Sequence, residues 1–242
     1  MRIALIGYGK MGKAIEQQCL ERNHEIVARI DKDNFHNAQR LISQADVAIE
    51  FTRPESAVDN IKTCFKSRVP VVVGTTGWYA HFNEIEQLAA STRGALFHAT
   101  NFSLGVNIFF EINRKLARLM SNQNDYSVAI KEIHHTQKLD APSGTAISLA
   151  EQIIENHAGY STWNLDTDVI PSQNSIPIFA ERTGEVPGTH LVTYASEIDK
   201  IVLMHEAHNR KGFALGAVLA AEFLQGKQGI FNMTHLLEHT MA

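Results

Sequence analysis

Apolar residues along the chain fall into short runs separated by amphipathic segments. Ile3 to Ile6 form an unbroken apolar run that ends at a glycine, the pattern of a buried strand. Met11, Ile15 and Cys19 then recur at a spacing of four with Ala14 beside them, marking one face of a helix that closes at Asn23-His24. Further strands are predicted at Glu25 to Ile30, Ala45 to Phe51, Val69 to Val73 and Leu96 to Ala99. Val69 to Val73 is dominated by β-branched residues and fully apolar, as a central parallel strand should be. Between them, Thr52-Arg53-Pro54-Glu55 has the pattern of a capping box with proline in the first turn, which predicts a helix from about Arg53 to Phe65. His81 to Ala90 fits another helix. Strand and helix alternating in this way predict an α/β fold with a doubly wound parallel sheet of Rossmann type.

The pattern changes after the first hundred residues. A long amphipathic segment runs from about Val106 to Met120, and strand-like stretches follow at Tyr126 to His134, Ile176 to Ala180, Leu191 to Ala195 and Ile201 to Ala207. Only one helix, about Gly144 to His157, lies among them. Strands with few helices predict a smaller α+β domain. A final helix, about Phe213 to Leu224, is rich in Ala and Leu.

Composition narrows the functional classes. The 242 residues are 44% hydrophobic and 20% charged, ordinary for a globular chain and unlike disordered or low-complexity sequences. Lys plus Arg number 22 and Asp plus Glu 26, a net charge of −4, so no net positive field exists to hold a nucleic-acid backbone. The longest apolar run, near Phe213 to Ala221, is about half of a bilayer span. The amino terminus enters its first strand at once and lacks the pattern of a signal peptide. Cys19 and Cys64 are too few for a disulfide framework and are expected to be reduced thiols. No nucleic acid, no membrane and a cytoplasmic location are the resulting expectations.

Gly7-Tyr8-Gly9-Lys10-Met11-Gly12 is a G-x-G-x-x-G motif between the first strand and the first helix. The first glycine permits a tight turn, the second lets a pyrophosphate approach the backbone, and the third lets the helix pack closely on the strand. The helix amino terminus offers free N–H groups to the phosphates. Asp31 stands about 20 residues on, at the end of the next strand, where a carboxylate meets the ribose 2′-OH. Lys32 beside it suits a 2′-phosphate, so the sequence leaves NADH and NADPH both open. Gly74-Thr75-Thr76-Gly77 ends another strand and reads equally as a loop along the nicotinamide half or as a plain polar turn. Asn101-Phe102 is open to the same two readings.

The densest chemistry lies in Glu132-Ile133-His134-His135-Thr136-Gln137-Lys138-Leu139-Asp140-Ala141-Pro142-Ser143-Gly144-Thr145-Ala146. A strand delivers His134 and His135 to its end on opposite faces. Lys138 is a point cation suited to a carboxylate or to proton donation. A helix then begins near Gly144, and its free amides with the Thr145 hydroxyl make an anion site. The side chains of Asp140 and Ser143 also suit simple helix capping. The cluster fits a small polyanion that must receive a proton. The spacing matches neither a Cys₂His₂ nor an H-E-x-x-H zinc site, and His205-Glu206-Ala207-His208 is one residue too short for the latter, so no metal is expected.

The stretch from Glu132 to Ala146 resembles the signature E-x-H-H-x-x-K-x-D-A-P-S-G-T-A of the 4-hydroxy-tetrahydrodipicolinate (dihydrodipicolinate) reductases. The resemblance extends to Gly7–Gly12, Phe51-Thr52-Arg53-Pro54-Glu55, Gly74–Gly77, Ala99-Thr100-Asn101-Phe102-Ser103 and Gly105-Val106-Asn107. It implies a dinucleotide-binding domain over residues 1–104 completed by 210–242, and a mixed-sheet domain over 105–209 that binds substrate and builds a homotetramer. It implies His134 as general acid and Lys138 as a second catalytic group, either proton donor or carboxylate anchor. His135, Gly144 and Thr145 are implied as ligands of the substrate carboxylates. Gly7, Tyr8, Gly9, Lys10, Met11, Gly12, Asp31, Lys32, Gly74, Thr75, Thr76, Ala99, Thr100, Asn101 and Phe102 are implied as contacts of NADH or NADPH. The chain departs from the pattern in a compressed segment between Asp31 and Ala45, in Lys32 where many relatives carry arginine, and in Gly188-Thr189-His190 where Gly-Glu-His is common. The implied activity is reduction of a cyclic unsaturated dicarboxylate on the route to diaminopimelate and lysine. An aspartate or homoserine dehydrogenase-like enzyme would not be expected to carry the His-His-x-x-Lys cluster, and a non-catalytic sensor would be expected to have lost members of it.

Overall fold

The computed structural model describes residues 1–165, 174–209 and 211–241. In chain order the elements are β1 (Arg2–Ile6), α1 (Lys10–Glu21), β2 (Glu25–Ile30), α2 (Ala38–Ile42), β3 (Val47–Glu50), α3 (Pro54–Lys66), β4 (Val71–Val73), α4 (Phe82–Thr92) and β5 (Ala95–His98). There follow α5 (Leu104–Met120), β6 (Ser127–His134), α6 (Gly144–Asn156), β7 (Thr162–Leu165), β8 (Ser175–Arg182), β9 (Thr189–Ala195) and β10 (Lys200–Glu206). The chain ends in α7 (Lys211–Leu224), β11 (Gly229–Phe231) and α8 (Met233–Met241). Two compact units divide it, Met1–Leu104 with Lys211–Ala242 and Gly105–Arg210. Residues 166–173, 210 and 242, which the expected domain spans include, lie outside the described residues.

The first unit is a parallel sheet in the order β11-β5-β4-β3-β1-β2. Alternation along each strand feeds two cores. Ile3, Leu5, Val47 and Ile49 pack with Ile15 and Cys19 of α1 and with the small residues of α7. Ala4, Ile6, Ala48, Val71 and Val73 face the other way, toward Ile42 of α2, Ile61 of α3 and Ile85 of α4. Each fully buried isoleucine contributes about 1.5–3 kcal/mol, so the two faces hold the sheet jointly. The last strand residues stand in one row, Ile30 beside Ile6, Ile6 beside Glu50, Glu50 beside Val73, and Val73 beside His98. That register brings every loop singled out in this part of the sequence to the carboxyl edge.

The second unit is a mixed sheet in the order β10-β9-β6-β8-β7, antiparallel on one side of β6 and parallel on the other. Val128, Ile130, Ile176, Ile178, Val192 and Tyr194 point to the face covered by Leu149, Ala150 and Ile153 of α6 and by Phe109 and Ala117 of α5. The opposite face carries exposed Phe179, Val202 and Met204. The expected fold class, a doubly wound parallel sheet with a smaller mixed-sheet domain, is the one observed.

One local expectation fails. Arg53, not Thr52, occupies the N-cap of α3, and it makes no side-chain cap; Pro54 is in the first turn as expected. The Thr52 hydroxyl is instead turned toward the buried pair Glu50 and Asn60: it donates to the Glu50 carboxylate and accepts from Asn60 Nδ2 at 3.1 Å.

Candidate active site

In the mixed-sheet unit, β6 continues its inward alternation with two polar residues, Glu132 and His134, after Val128 and Ile130. Both are buried, and the Glu132 carboxylate lies in contact with Nδ1 of His134. Its other oxygen accepts from Arg182 Nη2 at 2.9 Å and from the Ser143 amide at 3.0 Å. Burial alone would raise the Glu132 carboxyl, but the bonds from His134, Arg182 and Ser143 outweigh it and hold the group down at about 2. His190, cross-strand from Glu132, stacks edge-on to His134 with ring centres 5.0 Å apart and meets the Ser143 hydroxyl at 3.1 Å. Burial, followed by the neighbouring His134, pushes His190 down to about 3, so it stays neutral and adds no positive charge beside His134. A Cβ on Gly188 would stand 3.0 Å from Nε2 of His134, so glycine there leaves that nitrogen uncrowded.

Ser143 is also the N-cap of α6, where its hydroxyl accepts from the Ala146 amide at 3.2 Å. The amides of Gly144 and Thr145 belong to the exposed first turn, and space beside Gly144 is open. Asp140 does not cap the helix. Its carboxylate takes the Lys138 ammonium at 2.7 Å, which holds the Asp140 carboxyl below its usual range. Arg182 Nη2 also donates to the Asp140 carbonyl at 2.6 Å, which ties the Lys138 loop to Glu132. The structure therefore gathers His134, Lys138 and the α6 amino terminus into one network. His135 follows the strand on its other face and is only partly buried.

Glu132, His134 and His190 each bring one ligand atom within 4.8 Å of the others, a spacing that would fit a cation. The Arg182 guanidinium already supplies the positive charge there, with Nη2 2.9 Å from the shared carboxylate. Repulsion from it disfavours a metal ion on the same group.

The carboxyl edge of the parallel sheet has the backbone of a dinucleotide cradle. Gly7 adopts φ +93, and any Cβ on it would collide with the Phe51 carbonyl. A Cβ on Gly12 would strike the Gly7 carbonyl, while Gly9 faces open space. The loop is thus closed where it packs and open where a pyrophosphate would sit, at the amino terminus of α1, whose first turn carries no acidic residue. The Tyr8 hydroxyl donates to Glu16, and Arg29 pairs with Glu16 while its guanidinium stands 5.7 Å from the Tyr8 ring. Lys10 and Met11 open α1. Asp31 is exposed, and one of its oxygens caps the Asp33 amide at 2.9 Å; Lys32 is exposed beside it. Thr75 is buried and accepts from the Thr52 amide at 2.8 Å, between half-buried Gly74 and exposed Thr76. Ala99 and Phe102 are buried, Thr100 is exposed, and Asn101 accepts from the Ser103 amide at 2.8 Å. The Phe102 ring packs against Phe51 and Phe97 and its carbonyl abuts Gly216 of α7, so its side chain belongs to the core. A cavity of about 590 Å³ lined by Arg68, Arg93 and Lys227 lies instead before the first residues of β4, β5 and β11, at the opposite edge.

Glu132, Gly188, His190 and Arg182 carry no role in the sequence reading. Their signal was present as polar residues extending the inward alternation of strands: Arg182 follows Ile176, Ile178 and Ala180 at every second position, and His190 precedes Val192 and Tyr194.

Comparison with known proteins locates this arrangement. The family profile "Dihydrodipicolinate reductase, N-terminus" matches residues 1–102, and "Dihydrodipicolinate reductase, C-terminus" matches 105–237. A protein of Christiangramia forsetii named 4-hydroxy-tetrahydrodipicolinate reductase is 51% identical over 237 residues, 98% of each chain. A dipicolinate-bound dihydrodipicolinate reductase from Paenisporosarcina sp. TG-14 superposes with a TM-score of 0.80 at 25% identity, over 96% of this chain and 97% of that one. The WlbA dehydrogenase from Thermus thermophilus, at 10% identity and a TM-score of 0.60 over 98% and 92% of the two chains, shares the fold alone.

Proposed function

This chain belongs to the dihydrodipicolinate reductase family, and from that premise we infer how its residues carry out the reaction. It reduces 4-hydroxy-tetrahydrodipicolinate to tetrahydrodipicolinate with a reduced nicotinamide dinucleotide, a step of diaminopimelate and lysine biosynthesis. The observation that carries the assignment of roles is the Glu132–His134 contact, tied through Ser143 to the amino terminus of α6 and through Arg182 to the Lys138 loop.

The bound coenzyme supplies hydride. Loss of the 4-hydroxyl with a neighbouring ring hydrogen, as water, gives a C=C conjugated with the ring imine; hydride addition to its far carbon then drives charge toward the ring nitrogen and the carbon between, where one proton must arrive. His134 gives that proton. Its Nδ1 is held by Glu132, so Nε2, on the side kept open by Gly188, is the nitrogen that releases it. A positioned acid contributes ~10²–10⁴-fold to the rate. The two carboxylates are received by the Gly144 and Thr145 amides with the Thr145 hydroxyl, by His135, and by the Lys138 ammonium, which exchanges Asp140 for the substrate. With five anion-binding groups fixed around it, the dicarboxylate is oriented before any bond changes.

Gly7 to Gly12, Gly74 to Thr76 and Ala99 to Phe102 hold the coenzyme, with Asp31 on the adenosine ribose. Exposed Lys32 next to Asp31 supports use of NADPH as well as NADH. The exposed apolar residues Phe179, Val202 and Met204 on the uncovered sheet face support a homotetramer built through that face. No described helix is long and apolar enough to cross a membrane. Cys19 and Cys64 are free and buried, and such unpaired thiols support a cytoplasmic location.

The test follows nicotinamide absorbance with substrate generated from pyruvate and aspartate semialdehyde. Coenzyme oxidation dependent on that substrate is expected. Oxidation that ignores it would overturn the assignment. Pyridine-2,6-dicarboxylate soaked into crystals is expected at the α6 amino terminus beside His134.

A further inference from the structure

Glu50 is the last residue of β3 and is fully buried after Val47, Ala48 and Ile49. Its backbone is pinned on both sides, in register with Ile6 and Val73. The Phe51 amide donates to the Ile6 carbonyl at 2.8 Å, and the Gly74 amide donates to the Glu50 carbonyl at 2.9 Å. The residues that precede Gly7 and Gly74 are therefore the neighbours of Glu50. Phe51 fills both contacts. Its carbonyl abuts Gly7, and its ring occupies the space a Cβ on Gly74 would need.

The side chain completes the junction. One carboxyl oxygen accepts from the Thr52 amide at 3.1 Å, from the Thr52 hydroxyl, and from the Asn60 amide group at 3.2 Å. The Thr52 amide also donates to the Thr75 hydroxyl at 2.8 Å. The second carboxyl oxygen makes no hydrogen bond among the described residues. Burial pushes this carboxyl up, against the opposing effect of the Thr52 and Asn60 donors and of the nearby Thr75 hydroxyl. An apolar residue would fill the place without that unpaired oxygen, so packing alone does not account for a carboxyl here. What the carboxyl uniquely provides is a single acceptor shared by the turn after β3 and the side chain of α3, with Thr75 of the turn after β4 one bond away.

We propose that Glu50 is a positioning residue for the coenzyme: it holds Thr52 by both its hydroxyl and its amide, and so aims the Thr52 amide at Thr75, making the Gly7 and Gly74 loops one rigid wall. This rests on the assignment of those loops to the coenzyme. Glu50 touches no ligand itself and acts through Thr52 and Thr75.

Glu50→Gln, Glu50→Leu and Thr52→Val decide the matter in the full-length enzyme. Titration calorimetry with NADH and NADPH gives the coenzyme Kd, and steady-state kinetics gives KM for each substrate. Glu50→Leu is expected to raise the coenzyme Kd roughly tenfold, the equivalent of one net hydrogen bond, with KM for the dicarboxylate unchanged. Glu50→Gln keeps an acceptor oxygen and is expected to restore wild-type binding. Thr52→Val is expected to weaken coenzyme binding similarly, and the double variant Glu50→Leu/Thr52→Val no further than either single one. If Glu50→Leu does not fold, Thr52→Val against Glu50→Gln makes the same comparison. Wild-type coenzyme affinity in Thr52→Val, or a Gln variant as impaired as Glu50→Leu, overturns the positioning role. A wild-type protein that binds no coenzyme would overturn the loop assignment instead.

Discussion

Replacing Glu132 by glutamine removes one charge from a fully buried site and leaves its shape intact. The carboxyl is held at about 2, against an ordinary value of 4.5, and that balance already includes the cost of burying it. A depression of this size corresponds to about 3 kcal/mol of stabilisation of the mixed-sheet unit. The magnitude agrees with the ~3–5 kcal/mol lost when one partner is removed from a buried ion pair, since Arg182 and His134 would then face a neutral amide. The sign follows from the direction of the shift. The folded carboxyl titrates below the unfolded one, so its contribution is complete above pH 4.5 and is lost as the pH falls toward 2. Trp163, on β7 against the core of this unit, reports its unfolding by fluorescence once Trp78 of the other unit is replaced by phenylalanine. Urea titrations of Glu132→Gln in that background are expected to show about 3 kcal/mol less stability at pH 7, with the gap to the parent narrowing below pH 4.5. The kcat is expected to fall ~10²-fold or more because an amide does not hold an imidazolium in place. Equal stability at pH 7, or a gap that is the same at pH 7 and pH 3, would refute the ion-pair account.

His134→Gln is expected to lower kcat by ~10²–10⁴-fold in the coupled assay, and near-normal turnover would remove it from the chemistry. Lys138→Ala is expected to raise KM for the dicarboxylate roughly tenfold or more, and an unchanged KM would remove it as a carboxylate ligand. Thr145→Val should raise KM for the dicarboxylate and leave coenzyme Kd unchanged by calorimetry; parallel loss of both would indicate a folding defect. Asp31→Ala should reduce kcat/KM for NADH more than for NADPH, because only the free ribose hydroxyl needs the carboxylate. His190 is held at about 3, so the unfolded chain takes up a proton near 6.5 that the folded protein refuses, and stability should decline from pH 6.5 downward. His190→Asn should flatten that decline in acid denaturation, and an unchanged profile would show that His190 titrates normally.

The fold was legible because its main elements carry strong periods. Strand β2 spans the predicted Glu25 to Ile30, and α6 starts at Gly144 as its capping residues require. The elements that escaped are short. α2 is five residues, β7 four and β11 three, each too brief for a period to establish itself, and β7 and β11 are edge strands whose place is set by a neighbour; the nine-residue α8 also escaped, its apolar Met233, Leu236 and Leu237 covering only the first turns. The glycine loop and the His134 segment were legible as contiguous motifs. Arg182, Gly188 and His190 were not, because they join the site from other strands of the sheet, 48 to 56 residues along the chain from His134. The Thr52 capping box misled for a related reason: local spacing cannot reveal that buried Glu50 and the Asn60 amide group together engage the same hydroxyl.

The polar residues that escaped share a physical logic with those that did not. On β6, β8 and β9 the inward positions are apolar until the strand end, where Glu132, His134, Arg182 and His190 take over. On β3 the same change occurs at Glu50. A single polar residue at such a position would cost several kcal/mol, because burial strips its water without supplying a partner. The substitutions are tolerable only as sets, with carboxylate, guanidinium, imidazole and backbone amide satisfying one another. Each set therefore acts as a unit, and losses from changing two members of one set should be less than additive, while changes in Glu50 and Glu132, which lie in separate compact units, should add. The same mutual dependence explains why the buried network sits at the strand ends. There the sheet still supplies rigid backbone, and the adjoining turn and helix amino terminus supply the donors that no strand interior can offer.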